Sequence, residues 1–458
     1  YRRHTNFARE SIEQTISGSS TLTDGNRGTV TISRNGDLLS GVHVVSTGAL
    51  AGAGDNAIVD VEVQIGGQKI DKHTKEWMQI WAELTTPDSK ADAYRAMTGV
   101  SGTQGSSGTG VYATHIPLQF WFCRNPGLAL PLIALQYHEV KVVFNWGAGG
   151  SGSPTAKVFC DYVYLDTDER RRFAQVSHEY LIEQLQYQSE ATSKSSFKLT
   201  LNHPVKALYW TDADVLTTHT MKLKLNGHDR FAAREKEYFR LQQPMCCHTA
   251  VPRQNIPVVQ TPELLATPTE VIAMALAAAV APATTPTGNG TFHVDAAGGT
   301  TSNEIILQSA TDPGLKVGDV LSLCYGVVDD AANAGADGEV SVIVTIKTMT
   351  TAWSAAATDM VFEVNETVLD SVAGKGAIYK IGSTRNALCR TSSMTNKVNM
   401  YSFALEPEEH QPSGTCNFSR IDTATLELSA QKQVEAIYAL NYNVLRIMSG
   451  MGGLAYSN

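Results

Sequence analysis

The sequence predicts an all-β protein: two β-sandwiches in tandem, with a β-rich module inserted into the second. Three observations predict this. Short segments of alternating apolar and polar residues recur along the chain, split by Gly, Pro and Asn turns. A weak internal repeat returns after about 160 residues. A block of acidic chain rich in Ala, Thr and Gly interrupts the second copy.

The strands come first. Thr29–Ser33 alternates before the turn signal Arg34-Asn35-Gly36-Asp37, and Val61–Ile65 alternates before Gly66-Gly67, so each predicts a half-buried strand entering a tight turn. Further strands are predicted over Ile116–Phe122, Val140–Asn145, Lys157–Leu165, Phe197–Leu201, Met221–Leu225, Glu339–Ile346, Met360–Val364, Met400–Leu405 and Thr425–Leu428. Consecutive Phe120, Trp121 and Phe122 read as a strand buried on both faces, or one facing a neighbouring chain. Helices are few. Thr267-Pro268-Thr269-Glu270 carries an N-cap, a first-turn proline and a capping glutamate, which predicts a helix over 268–281. Asp166 and Glu169 form a capping box before Arg170-Arg171-Arg172, predicting a second helix over 166–173 with a solvated or intersubunit basic end. The glycine- and serine-rich stretches 99–110 and 147–153 read as surface loops.

The repeat pairs Val61-Glu-Val-Gln-Ile-Gly-Gly67, then Glu76-Trp77, with Met221-Lys-Leu-Lys-Leu-Asn-Gly227, then Glu237-Tyr238. A strand-then-proline passage, Phe120–Pro131 in the first copy and Tyr401–Pro412 in the second, lies much further along in the second. Roughly 125 residues have been inserted there. Charge marks the same block: between Gln254 and Arg385 stand fourteen acidic residues and four lysines, a net −10. The rest of the chain is left near +1. The expected domains are an N-terminal arm (1–26), a first sandwich (27–200), a second sandwich (201–253 with 393–458) and an inserted acidic surface module (254–392).

Composition excludes several classes. The chain has 458 residues, 43% hydrophobic and 18% charged, which is the composition of a folded chain of about three domains. A net charge of −9 argues against phosphate neutralisation, so no direct nucleic-acid partner is expected. The longest apolar run, Val271–Ala281, has eleven residues, against the roughly 20 that cross a bilayer as a helix. Tyr1 opens the sequence without a methionine or signal pattern, which reads as a start inside a longer or processed product. Seven irregularly spaced cysteines suggest a reducing compartment. Adjacent Cys246 and Cys247, before His248, lack the second ligand pair of structural zinc and read as small buried hydrophobes.

No catalytic, cofactor or metal set emerges. His138-Glu139 and His178-Glu179 lack the second histidine of a zinc-protease helix and read as strand residues. The 102–110 glycines lack a phosphate-loop lysine, and there is no Gly-x-Ser-x-Gly elbow. Asp71, His73 and Glu76 could act as acid and base, but read as the solvated flank of a hairpin. The triplets at Asn289 and Asn365 are weak N-glycosylation signals within the insert, and that at Asn417 reads as structural.

Several passages resemble the major capsid proteins of nucleocytoplasmic large DNA viruses, the double jelly-roll family. They are Ser33–Leu38, Ile65–Gly67 with Trp77 and Trp81, His115–Pro131, Tyr401–Leu405 with Gln411–Asp422, and Asn441–Arg446 with Gly450–Gly453. The resemblance covers roughly 6–253 and 397–458 and leaves the insert unmatched. It implies two tandem eight-stranded jelly rolls per chain, a homotrimer of pseudo-hexagonal outline, and capsomers tiling the icosahedral shell of a virion assembled in host cytoplasm. It further implies contact with neighbouring capsomers and with minor capsid and penton proteins, an N-terminal arm beneath the shell near an inner membrane, and an outward insert. The expected role is structural and non-enzymatic. A carbohydrate-binding, lectin-like jelly roll is the alternative, and a cupin-type metalloenzyme would need a His-x-His pattern that none of the twelve histidines makes.

Overall fold

In the computed structural model, the residues described are 5–47, 56–99, 114–147, 154–189, 194–212, 219–256, 263–272, 291–295, 301–308, 313–315, 318–327, 338–351, 359–369, 371–383, 390–394, 396–432 and 434–456. The chain forms two compact units, one of Tyr1–Ile256 with Ala387–Asn458 and one of Pro257–Asn386.

The larger unit begins with β1 (Phe7–Gln14), β2 (Ile16–Gly18), β3 (Arg27–Thr31), β4 (Leu38–Thr47), β5 (Ile58–Ile65) and β6 (Gln68–Thr74). Helices α1 (Lys75–Thr85) and α2 (Asp88–Thr98) follow, then β7 (Thr114–Pro117), α3 (Trp121–Arg124), β8 (Leu130–Pro131), β9 (Val140–Trp146) and β10 (Thr155–Leu165). These strands make two antiparallel sheets, β1-β10-β4-β7 with β8 on β4, and β2-β3-β9-β5-β6. Alternation dictates their packing: Val61, Val63 and Ile65 of β5 and Val42 and Val44 of β4 point into one buried core. Helix α4 (Thr167–Gln175) leads to the second sandwich. It lies where the sequence predicts, although Asp166 makes no side-chain cap bond. Arg170 instead reaches the buried Asp37 carboxylate at 2.9 Å.

The second sandwich opens with β11 (His178–Ser189), β12 (Lys194–Leu199), β13 (Pro204–Asp212), β14 (Thr220–Leu225), β15 (His228–Asp229) and β16 (Arg234–Glu235). A π-helical turn (Tyr238–Gln242) runs into α5 (Gln243–Cys247). The smaller unit holds one seven-stranded sheet of β17 (Glu263–Ile272), β18 (Thr291–Asp295), β19 (Thr301–Gln308), β20 (Asp319–Val327), β21 (Gly338–Thr351), β22 (Asp359–Leu369) and β23 (Ser371–Ser383). It has its own core around Ile305, Leu321, Val344, Phe362 and Ile378. The chain then completes the second sandwich with β24 (Lys397–Ser402), β25 (Cys416–Asn417), β26 (Ala424–Lys432), β27 (Val434–Met448) and β28 (Met451–Leu454).

The duplication is visible in the sheet order. β1-β10-β4-β7 corresponds to β11-β27-β13-β24, and β3-β9-β5-β6 to β12-β26-β14-β15. The repeated sequence forms the same hairpin twice. Gly66 and Gly67 (φ 58° and 83°) and Asn226 and Gly227 (φ 52° and 78°) supply the paired left-handed residues that a two-residue β-hairpin turn requires.

Four expectations are corrected. Residues 268–272 are strand, not helix: β17 pairs with β23 through Thr269–Lys380 and Glu270–Tyr379. It is an edge strand, where Pro268 withdraws no needed ladder donor and pairing overrides the local capping signal; 273–281 lie outside the described residues. The described part of the arm expected over 1–26 is built into the first sandwich, with Phe7–Gln14 paired along β10 and Ile16–Gly18 paired with β3. The strand expected over Ile116–Phe122 stops at Pro117, and Trp121–Arg124 is a helical turn with Phe120, Trp121 and Phe122 all buried. Gln254–Ile256 and Arg390–Ser392, assigned by composition to the insert, belong to the sandwich unit.

Candidate functional site

The feature with the densest buried chemistry is the seam between the two sandwiches. It starts from α1. Thr74 caps this helix by accepting from the Trp77 amide at 3.3 Å. Trp77, Ile80, Trp81 and Leu84 follow at helical spacing on one face. That face packs on the outer side of the second sandwich, against Ala207 and Tyr209 of β13, Val398 and Met400 of β24, and Ala436, Tyr438 and Leu440 of β27. Trp77 meets Tyr209 edge-on at 5.2 Å and lies 5.6 Å from both Trp81 and Tyr438. The first core is in turn completed by Ile182 of β11 and by Leu445 and Ile447 of β27.

Buried polar groups frame these rings. Glu83 is fully buried, and its carboxylate accepts from the Arg390, Thr391 and Ser392 amides at 3.0, 2.7 and 2.9 Å and from the Thr391 and Ser392 hydroxyls. The chain re-entering from the insert is thereby hung on α1. On the departing side, Asn255 exchanges bonds with Val398, donating to its carbonyl at 2.6 Å and accepting from its amide at 2.9 Å. Tyr438 donates its hydroxyl to Glu76 at 2.8 Å and lies 3.0 Å from the Thr74 hydroxyl. Burial, then the Glu76 charge, push this phenol far above its ordinary value.

A second cluster centres on Glu183 of β11. Its two oxygens receive Lys206 of β13 at 2.5 Å and Arg124 of α3 at 2.9 Å. Lys206 has no exposed surface, also donates to the Glu409 carbonyl at 2.9 Å, and lies 4.9 Å from the Tyr442 ring centroid. Burial pulls its ammonium below the usual lysine value, while Glu183 opposes that shift. Arg124 stacks over Trp81 at 4.6 Å. At the outer end His248 donates or shares a proton with Glu408 at 2.6 Å, and Glu408 also accepts from the Thr249 amide at 2.8 Å. Burial would raise the Glu408 carboxyl, but the His248 and Thr249 bonds outweigh it and hold it below the ordinary value.

The candidate residues of the sequence fall as follows. Asp71 and His73 are not a solvated flank. They are buried, 2.9 Å apart, and Asp71 also accepts from the Leu185 amide at 3.0 Å while His73 stacks on Phe120 at 4.4 Å. Leu185 of β11 in the second sandwich reaches Asp71, while Phe120 and Trp77 pack on His73, and no local pattern in the hairpin announces that. Glu76 joins the same seam through Tyr438. Cys246 is exposed and Cys247 half-buried, so the expectation of two small buried hydrophobes is corrected for Cys246; its neighbour His248 turns to Glu408 instead. His178 and Glu179 open β11, whereas His138 lies before β9 with its Nδ1 3.2 Å from the Gly452 amide nitrogen. Asn365 is an exposed residue of β22, and Asn289 lies outside the described residues. Among the described residues no group of three or more His, Cys, Asp or Glu is placed to hold a metal. The Glu183–Lys206 pair escaped the sequence reading, yet Lys206 sits inside the apolar run Val205–Trp210, a charge in a two-sided buried strand that signals a partner. The seam's carboxylates are engaged by buried cations, amides and hydroxyls, an arrangement that suits a rigid joint.

Two outcomes follow from this geometry. Lys206→Met should destabilise the chain by about 3 kcal/mol in urea unfolding, because Glu183 loses one of its two buried cations; Glu183→Gln in that background should recover part of the loss. Glu408, depressed below 4.5 in the fold, contributes stability present above that pH and lost as pH falls through its folded value. Glu408→Gln should therefore lower the urea midpoint at neutral pH, and the gap should close in acid.

Comparison with known proteins agrees with the folded frame. Residues 1–166 match the family described as major capsid protein N-terminus, and 169–217 with 375–453 match the large eukaryotic DNA virus major capsid protein family. The major capsid protein of Pyramimonas orientalis virus is 39% identical, over 100% of this chain and 92% of the relative. That of Paramecium bursaria Chlorella virus 1 is 32% identical, over 100% and 93%. Among solved structures, the PBCV-1 virus capsid quasi-atomic model aligns with a TM-score of 0.60 at 28% identity, covering 100% of this chain and 98% of the other. The two sandwiches are the halves of a double jelly roll, and the chain belongs to the family of major capsid proteins of large eukaryotic DNA viruses.

Proposed function

We propose that this structural capsid protein works as a homotrimer, and that the trimers are pseudo-hexagonal capsomers tiling an icosahedral shell. The observation that carries the reading is the matched sheet order of the two jelly rolls. Two near-equivalent rolls per chain give three chains six similar flanks, so a threefold particle can occupy a sixfold lattice position. Weak lateral contacts then suffice, because many act together. The same reading has neighbouring capsomers, minor capsid and penton proteins as partners, an inner viral membrane nearby, and assembly in host cytoplasm.

The insert fits an outward surface module in this reading. It has its own core and carries the whole of the chain's acidic excess. Exposed Asn365 would take sugar there if the chain meets the transferase, as would Asn289. The lectin alternative gains no support from the relatives matched over the full chain, which are capsid proteins.

Light scattering behind size exclusion should give the mass of three chains. Removing 257–386 and bridging the ends with a short flexible linker should leave that trimer intact, because the Glu83 and Asn255 anchors of both roots lie outside the deletion. Loss of the trimer in the deleted chain would contradict a peripheral module, and a monomeric native chain would contradict the capsomer.

A further inference from the structure

A cleft of about 670 Å³ runs between the two rolls of the larger unit, walled by β6 and the start of α1 on one side and by β11 and the chain after β12 on the other. Each of β6, β11 and β12 is the edge of its own sheet, and sheet edges are where an extended chain can lie down. Both roots of the insert attach elsewhere. One is held at Val398 of β24, the opposite edge of the β11 sheet, and the other at Glu83 towards the far end of α1.

Charge count alone does not say what fills the cleft, because Lys69, Lys72 and Lys75 stand against Asp60, Asp71 and Glu76. Prior commitment separates the two sets. Asp60 holds Lys72 at 3.1 Å and accepts from the Asn145 side chain at 2.7 Å. Asp71 accepts from the Lys72 and Leu185 amides at 2.9 and 3.0 Å and pairs with His73. Glu76 accepts the Tyr438 hydroxyl at 2.8 Å. Among the described residues no such partner meets the ammonium of exposed Lys69 or of half-buried Lys75. On the facing wall the side chain of exposed Asn202 is equally uncommitted. Tyr187 rests on the Tyr438 ring at 5.2 Å and is 48% exposed. The groups still open are therefore two cations, one amide and an aromatic ring, beside the apolar Ile70, Leu185 and Leu201.

Spacing sets the shape of the ligand. Lys69 lies near the start of β6 and Lys75 opens α1, so the two stand about 20 Å apart along the strand. A small anion reaches one of them only. A ligand that satisfies both is elongated, acidic at each end and apolar between. We propose that the cleft binds an extended acidic segment of a partner protein, about seven residues long, with carboxylates on Lys69 and Lys75 and an apolar side chain against Tyr187. Every wall belongs to one chain, so the site does not depend on the trimer reading.

The test uses the full chain and fluorescence anisotropy of a labelled peptide of alternating glutamate and valine, with glutamate at both ends. Saturable binding is expected. Lys69→Glu with Lys75→Glu should weaken it by about tenfold or more. Lys90→Glu with Lys198→Glu, the same charge change on two exposed lysines outside the cleft, should leave it unaltered. Independently, benzoylphenylalanine in place of Tyr187 should crosslink to the labelled peptide, which reads the site even if the double variant fails to fold. No saturable binding, equal weakening by both lysine pairs, or no crosslink from position 187 would overturn the site. Binding of a heparin hexasaccharide where the peptide does not bind would put a sulfated sugar in the cleft and overturn the peptide.

Discussion

The contact on which the rest depends is the burial of α1 against the outer face of the second jelly roll. Trp77, Trp81, Tyr209 and Tyr438 are all nearly or fully buried there, and rings of this size contribute about 2–3 kcal/mol each when removed from water. The polar groups around them depend on that dryness. Glu83, with five donors on its carboxylate, and Glu183, with two cations, are favourable only while every partner is in place. A buried charge that loses its partner costs more than the pair ever contributed, so the polar frame selects one relative placement of the two rolls. That fixed placement is what the proposed capsomer, with two similar rolls in each chain, requires.

The same frame explains how the second roll tolerates an insertion. Both roots are held by buried bonds before the chain leaves, through Asn255 to Val398, and after it returns, through Arg390–Ser392 to Glu83. A loop whose ends are fixed in this way costs little more as it lengthens, since closure entropy grows only with the logarithm of length. The inserted chain can then build a core of its own, as the Ile305, Leu321 and Phe362 cluster does.

Much of this was legible in the sequence, and what was not has a physical reason. The hairpins after Ile65 and Leu225 were readable because positive-φ turns demand Gly or Asn at fixed positions. The duplication followed from them, and the capsid resemblance from longer passages around Phe120 and Tyr401. β1 was unreadable because its residues are mostly exposed, and it is held by backbone pairing with β10, which leaves no apolar alternation. The 268–272 segment carried a sound capping box, and long-range pairing with β23 overrode it. Asp71, His73 and Glu83 look like surface residues because the wall that buries them comes from another part of the chain.

If α1 is the joint, the two rolls of one chain open as a unit. Native-state hydrogen exchange read by mass spectrometry on the full chain tests this most directly, by comparing amides of β10 in the first roll with those of β27 in the second. The same opening free energy is expected at both in the native chain, with the two values separating in Trp77→Ala as the rolls uncouple. Equal protection of both strands that Trp77→Ala leaves unchanged would contradict the account.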